Sequence, residues 1–158
     1  ARGYEIIDPV TLYLCETARL LPVSLPRAQS YCIWEPLHIM REIWAAGGVH
    51  EPRIALMHRV QTPKTALLAR SGDSPAGVGF LALDEEIAML HAVEVLPAFR
   101  RMGVARKLMA QAAKWAEDHG ARYMALMTTR DNTAANRLYS SLGMRPVGQY
   151  HYRIKEPA

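Results

Sequence analysis

The chain has 158 residues, 50% of them hydrophobic and 22% charged, with a formal net charge of +4. That length buries one sizeable core, and that composition excludes a disordered or fibrous chain. The Lys and Arg residues are scattered rather than gathered into a basic run, so the positive charge suits an anionic small molecule as well as it suits nucleic acid.

Two cysteines, Cys15 and Cys32, are too few for a disulfide framework and lack metal-ligand spacing, so no metal site is expected and a reducing compartment is. No apolar stretch reaches the roughly 18 residues of a membrane span, and no secretory leader pattern is visible. A cytoplasmic protein without a membrane partner is the expectation. The chain starts at Ala1 without a Met, which reads as a cleavage point or a cut end.

The chain opens with two extended runs, Tyr4 to Ile7 and Thr11 to Cys15, separated by the turn-favouring pair Asp8-Pro9; together they predict a hairpin. From Ala18 to Gln29 two prolines and weak periodicity predict a linker, so residues 1–29 are set apart from a main domain over 30–158. Ser30 to Trp34 reads as a strand. Leu37, Met40, Ile43 and Trp44 recur at helical spacing up to Gly47-Gly48, and a second helix is predicted over Pro52 to Val60, with Pro where a missing N–H costs little.

Thr65 to Ala69, Val78 to Leu83 and Ile87 to Val95 follow as an antiparallel meander, separated by turn-forming segments. Val104, Leu108, Ala112 and Trp115 mark one face of a helix that His119-Gly120 closes. Tyr123 to Thr129 is short and apolar, a buried strand in a crossover unit; Thr133 to Ser141 is a helix with Asn132 as N-cap, and Arg145 to Ile154 ends the chain as one or two strands. The fold class is mixed α/β.

The segment with chemistry runs from Val93 to Met109: a strand, a Pro turn, a basic loop with one glycine, then a helix. Unpaired N–H groups and positive partial charge at a helix start bind phosphate; Gly103 lets the backbone approach closely, Ala105 leaves room, and Arg100, Arg101, Arg106 and Lys107 add charge. Taken alone this is also a plain helix start with solvated basic residues. It lacks the spacings of the nucleotide-triphosphate and dinucleotide loops.

The string R-x-x-G-x-A at Arg100 to Ala105, preceded by V-x-P at Val95 to Pro97, resembles the acetyl-CoA signature of the GNAT N-acetyltransferase superfamily. N-x-x-A-x-x-L-Y-x-x-L-G-M from Asn132 to Met144 is similar to that superfamily's second motif. The resemblance covers Lys64 to Lys155 well, and residues 30–63 only by element order.

It implies a mixed, mostly antiparallel sheet flanked by helices and splayed between the family's fourth and fifth strands, here Ile87 to Val95 and Tyr123 to Thr129. Acetyl-CoA would be the acyl donor, its pantetheine along the backbone of Val93 and Val95 and its pyrophosphate on the amides of Arg101, Met102, Gly103, Val104, Ala105 and Arg106, with Arg100 beside them. Asn132, Asn136 and Tyr139 would also face the coenzyme, and Tyr139 is the candidate acid for the departing thiolate. Its other reading is an aromatic packed on a buried helix face.

For the base that deprotonates the acceptor ammonium, the resemblance points to His91, whose pKa near neutrality suits the task, with Glu94 as rival, directly or through water. Regular pleating puts these two on opposite faces, and a bulge would upset that. A Glu base that some members carry on the fifth strand is absent from Ala125 to Thr129.

The acceptor, a small-molecule or peptide amine, would be lined by Gly47 to Arg53 and by Gln149 to Tyr152. A homodimer is compatible with this reading. Two rivals stand beside it: a degenerate module that binds acyl-CoA without turnover, and a nucleic-acid-binding domain, which neither helix spacing nor aromatic interleaving supports.

The start of the chain also resembles the end of a GNAT unit: Gly3-Tyr4 falls on Gly143-Met144, Ile7 on Val147, Leu12 on Tyr152 and Leu14 on Ile154. This suggests the C-terminal part of a tandem GNAT protein. The leading hairpin is then expected on an exposed sheet edge or paired with another chain.

Overall fold

The computed structural model describes residues 4–22, 24–25 and 28–155. Its strands are β1 (Tyr4–Glu16), β2 (Ser30–Ile33), β3 (Lys64–Ser71), β4 (Ser74–Asp84), β5 (Ile87–Val95), β6 (Tyr123–Thr129) and β7 (Arg145–Lys155), and its helices are α1 (His38–Ala46), α2 (Glu51–Arg59), α3 (Val104–Asp118) and α4 (Thr133–Ser141). The strands form one sheet in the order β2-β3-β4-β5-β6-β1-β7. Every pairing is antiparallel except β5 with β6, which the α3 crossover makes parallel. The meander, the crossover and all four helices lie where the sequence pattern put them, within a few residues.

The N-terminal expectation is corrected. Tyr4 to Glu16 is one strand, not a hairpin: Asp8 takes a positive φ of 46° and the register slips between Ile7 and Val10, so Asp8-Pro9 makes a bulge that bends the strand without reversing it. Nor is the segment at an edge. It pairs β6 on one side and β7 on the other, from Val10↔Thr129 to Glu16↔Tyr123 and from Tyr4↔Lys155 to Leu14↔Arg145. The physical reason is its pattern beyond the bulge: Val10, Tyr13 and Cys15 are buried, which an edge flap would not require. Within the presumed linker, Thr17–Leu20 forms a 3-10 turn with Leu20 buried. The final segment is a single strand.

Strand alternation builds two cores, one on each side of the sheet. Leu67, Leu81, Leu90, Met124 and Leu126 meet Val104, Leu108, Ala112 and Trp115 of α3 on one side, where Tyr139 of α4 also packs. On the other side Ala66, Leu68, Val78 and Phe80 meet Met40, Ile43 and Trp44 of α1 and Ile54 and Met57 of α2. Each large side chain buried this way contributes roughly 1.5–3 kcal/mol. The helices leave open the place where β5 and β6 part.

Candidate active site

β5 and β6 are hydrogen-bonded only from Ile87↔Tyr123 to Leu90↔Leu126. Beyond that point they diverge, leaving a cleft of about 240 Å³ lined by Leu90, Ala92, Val93, Leu126, Met127, Thr128, Thr129, Asn132 and Tyr139. The β6-facing backbone of Val93 has no strand partner there, whereas Val95, paired with Gly77 of β4, has its carbonyl within 3.4 Å of the Arg100 Nε donor. A parting of two strands inside a sheet leaves backbone donors and acceptors free to pair with a bound chain of amides.

At one end of the cleft lies the basic loop. Arg101 and Gly103 both adopt positive φ, 64° and 78°, and Gly103 is the N-cap of α3. A Cβ on Gly103 would meet nothing within 4 Å, so the glycine is required by its backbone conformation and not by crowding. The first bond of the helix joins Lys107 N to Gly103 O, so the amides of Val104, Ala105 and Arg106 have no helical acceptor and point outward as an anion-binding nest.

Arg100, Arg101 and Met102 are exposed around this nest. The Arg106 guanidinium donates to Ser141 Oγ at 3.0 Å, tying α3 to the end of α4. Lys107 departs from expectation: its ammonium donates to the Arg70 carbonyl on β3 at 3.0 Å, away from the loop.

The second motif builds the opposite wall. Asn132 caps α4, its side-chain oxygen accepting the Ala135 N–H at 3.1 Å. Asn136 is turned inward: Nδ2 donates to the carbonyls of Asn132 (2.8 Å) and Thr129 (3.0 Å), and Oδ1 accepts from Tyr13 at 2.7 Å. Its amide is thus engaged by the protein itself instead of facing the cleft as the motif implied. Tyr139 is buried to 6% exposure yet lines the cleft, and burial, with the Glu94 carboxylate adding to it, pushes its phenol up to about 12. It stays protonated throughout the neutral range and is available as a donor.

The base candidates share a face. Val78 pairs with Glu94 but Phe80 pairs with His91, so β5 carries one extra residue opposite Gly79. The bulge sits at Ala92, with φ of 49°, a conformation that costs a non-glycine residue about 1–3 kcal/mol. Trp44, fully buried in α1, holds it by donating its indole N–H to the Ala92 carbonyl at 2.8 Å. Leu90 and then Val93 and Val95 therefore point to the α3 side, and His91 and Glu94 both point to the α1/α2 side. Regular pleating would have separated them.

The Glu94 carboxylate packs on the end of α1, where a Cβ on Gly47 would fall 2.3 Å from its Cδ and Oε2. Burial raises its carboxyl above the ordinary 4.5, opposed by the charges of Arg100 and Arg53. Burial, and then Arg53, pull the His91 imidazole below 6.5, so it is neutral at pH 7. From β7, Tyr150 and Tyr152 stand edge-to-face at 5.5 Å. A hydrogen bond that the Tyr150 hydroxyl donates to Tyr152, and then burial, raise the Tyr150 phenol, with Arg53 opposing. Arg53 thus stands among groups of β5 and β7, on the side expected to receive the acceptor.

The profile of the acetyltransferase (GNAT) family matches residues 32–144, most of the chain. The chain belongs to this family. Members of the GNAT family use acetyl-CoA, and the cleft with its nest fits that donor: free strand backbone for the pantetheine amides and unpaired helix N–H groups for the pyrophosphate. Among curated relatives, the uncharacterized N-acetyltransferase YobR of Bacillus subtilis is 27% identical over 63% of this chain and 40% of its own length. An aminoglycoside N(6')-acetyltransferase type 1 of Salmonella typhimurium is 37% identical over 36% of this chain and 39% of that protein. The chain thus matches about two fifths of the length of these relatives.

A GCN5-related N-acetyltransferase of Kribbella flavida superposes with a TM-score of 0.69 at 22% identity, over 99% of this chain and 61% of that one, which establishes the GNAT fold. Among the described residues no helix is long and apolar enough to cross a membrane. Two residues of this candidate site carried no sequence signal for it: Trp44, which holds the bulge, and Tyr13, which grips Asn136; Arg53, the end of the segment expected to line the acceptor, carried none for its effect on both base candidates. Trp44 read as one of a helical stripe of core residues, which it also is.

Proposed function

We propose that this chain transfers acetyl from acetyl-CoA to a primary amine by direct attack in a ternary complex. What supports this reading is the cleft where β5 and β6 part, lined by the protonated, buried Tyr139, with the phosphate-type nest following the end of β5 and the base candidates His91 and Glu94 on the facing side of that strand. Placing both reactants in one cleft makes the attack effectively intramolecular.

Of the two bases, His91 is the better proton acceptor at neutral pH, because its imidazole is neutral there and closer in basicity to an ammonium than a carboxylate is. The Glu94 carboxyl holds the ammonium before attack by accepting its hydrogen bond. His91 first takes a proton from the ammonium and frees the lone pair that attacks the thioester carbonyl carbon; as the N–C bond forms and the C–S bond breaks, the second amine proton is lost to solvent, and the sulfur takes a proton from Tyr139 that solvent restores.

The test combines binding and turnover. Acetyl-CoA should raise the melting temperature through mass action, and Gly103→Glu should abolish the shift by placing a carboxylate where the pyrophosphate sits. A screen of amine acceptors, with aminoglycosides first because of the relatives' names, should release free thiol. An unchanged acetyl-CoA affinity in Gly103→Glu would refute the nest. Acetyl-CoA binding with no thiol release from any amine would instead make the chain a binding module.

A further inference from the structure

We propose that Tyr13, on the N-terminal strand, is a positioning residue for the donor side of the active site, acting through Asn136 and Tyr139. The proposal rests on the reading of the β5/β6 cleft as the acetyl-CoA site.

Tyr13 is buried to 6% exposure and sits at the middle of β1, opposite Leu126 of β6. Its phenol donates to Asn136 Oδ1 at 2.7 Å, and its ring lies against that of Tyr139 at 5.9 Å between centroids, tilted by 57°. Asn136 in turn donates to Thr129, the last residue of β6, and to Asn132, the cap of α4. One side chain therefore joins the splayed end of β6, the start of α4 and the tyrosine that faces the cleft.

Asn136 is half-buried, and its Oδ1 accepts from Tyr13 while its Nδ2 donates to the backbone, so the Tyr13 hydroxyl helps to fix which way the amide faces. If the amide turns, the bonds to Thr129 and Asn132 go with it and α4 is free to shift relative to β6. Sub-ångström drift of a proton donor is enough to slow a positioned reaction. The strand that brings Tyr13 here lies outside the family match, which begins at residue 32, so the domain's donor site is completed from outside that region.

Tyr13→Phe keeps the ring and removes only the hydroxyl. Loss of one hydrogen bond should lower kcat by about three- to tenfold and weaken acetyl-CoA binding by a similar factor, with acceptor KM unchanged. Cys15→Ala, on the same strand and in the same core, serves as a control that lowers stability but should leave kcat and acetyl-CoA affinity as they are. If Tyr13 acts through Asn136, Tyr13→Phe added to Asn136→Ala should cost no further activity.

Wild-type kcat and affinity in Tyr13→Phe, or losses that multiply in the double variant, would overturn the proposal and leave the acetyl-transfer reading intact. Equal losses in Cys15→Ala would also overturn it, by reducing the effect to general stability. A wild-type chain that fails to bind acetyl-CoA would remove both readings together.

Discussion

Gly47→Ala separates the two carboxyl and imidazole roles, because it displaces one group and leaves the other in place. The added methyl would fall 2.3 Å from Glu94 Cδ and Oε2 and 2.7 Å from its Cγ. Carbon atoms need about 3.5 Å or more, so the carboxylate must move by roughly 1 Å. Backbone resistance is small: Gly47 has φ of −89°, which alanine adopts freely, and the change removes freedom from the unfolded chain worth about 0.4–1 kcal/mol. An off-rotamer glutamate costs a similar amount, about 0.5–1.5 kcal/mol, so net stability should change by under about 1 kcal/mol.

Function should change more. A charge-assisted hydrogen bond to the acceptor ammonium is worth about 1.5–3 kcal/mol, so acceptor KM should rise by about tenfold to a hundredfold. kcat and the acetyl-CoA KM should stay near wild type, since His91 and the nest are untouched. Initial-rate kinetics with both substrates varied, alongside a melting curve, make the measurement. A fall of about a hundredfold in kcat with acceptor KM unchanged would make Glu94 the base. Unaltered kinetics with the melting curve unmoved would remove Glu94 from the acceptor site.

His91→Ala should lower kcat/KM by about a hundredfold and erase the acid limb of its pH profile, which in the parent enzyme should lie below pH 6.5 because burial and Arg53 depress that imidazole. Arg53→Ala should move the limb upward in pH, and an unmoved limb would assign it to another group. The same depression has a stability sign: the folded chain binds this proton less readily than the unfolded one, so the group costs stability as pH falls below 6.5 and nothing well above it. A melting temperature that declines between neutral pH and about 5 less steeply in His91→Ala than in the parent would check this. Tyr139→Phe should lower kcat with little change in the acetyl-CoA KM, the pattern of an interaction made mainly in the transition state; full activity would leave Tyr139 as packing.

What was legible in the sequence was local. Helix stripes such as Val104, Leu108 and Trp115, the cap at Asn132 and the glycine before α3 follow from propensities and backbone conformations that a few neighbouring residues set by themselves. The spacing of the loop and the second motif was enough to name the family, because a nest for phosphate is made by consecutive amides. Tertiary structure decided the rest. Asp8-Pro9 supports a turn or a bulge equally well, and only pairing to both β6 and β7 selects the bulge and draws the N-terminal strand inside the sheet. The extra residue at Ala92 has no local mark either; it exists because Trp44, on another element, satisfies the carbonyl that the bulge turns outward. That long-range hydrogen bond puts His91 and Glu94 on one face, and the bond from Tyr13 to Asn136 works in the same way. A residue's neighbours along the chain fix its conformation, but which buried polar group it must satisfy is settled only when the sheet closes around it.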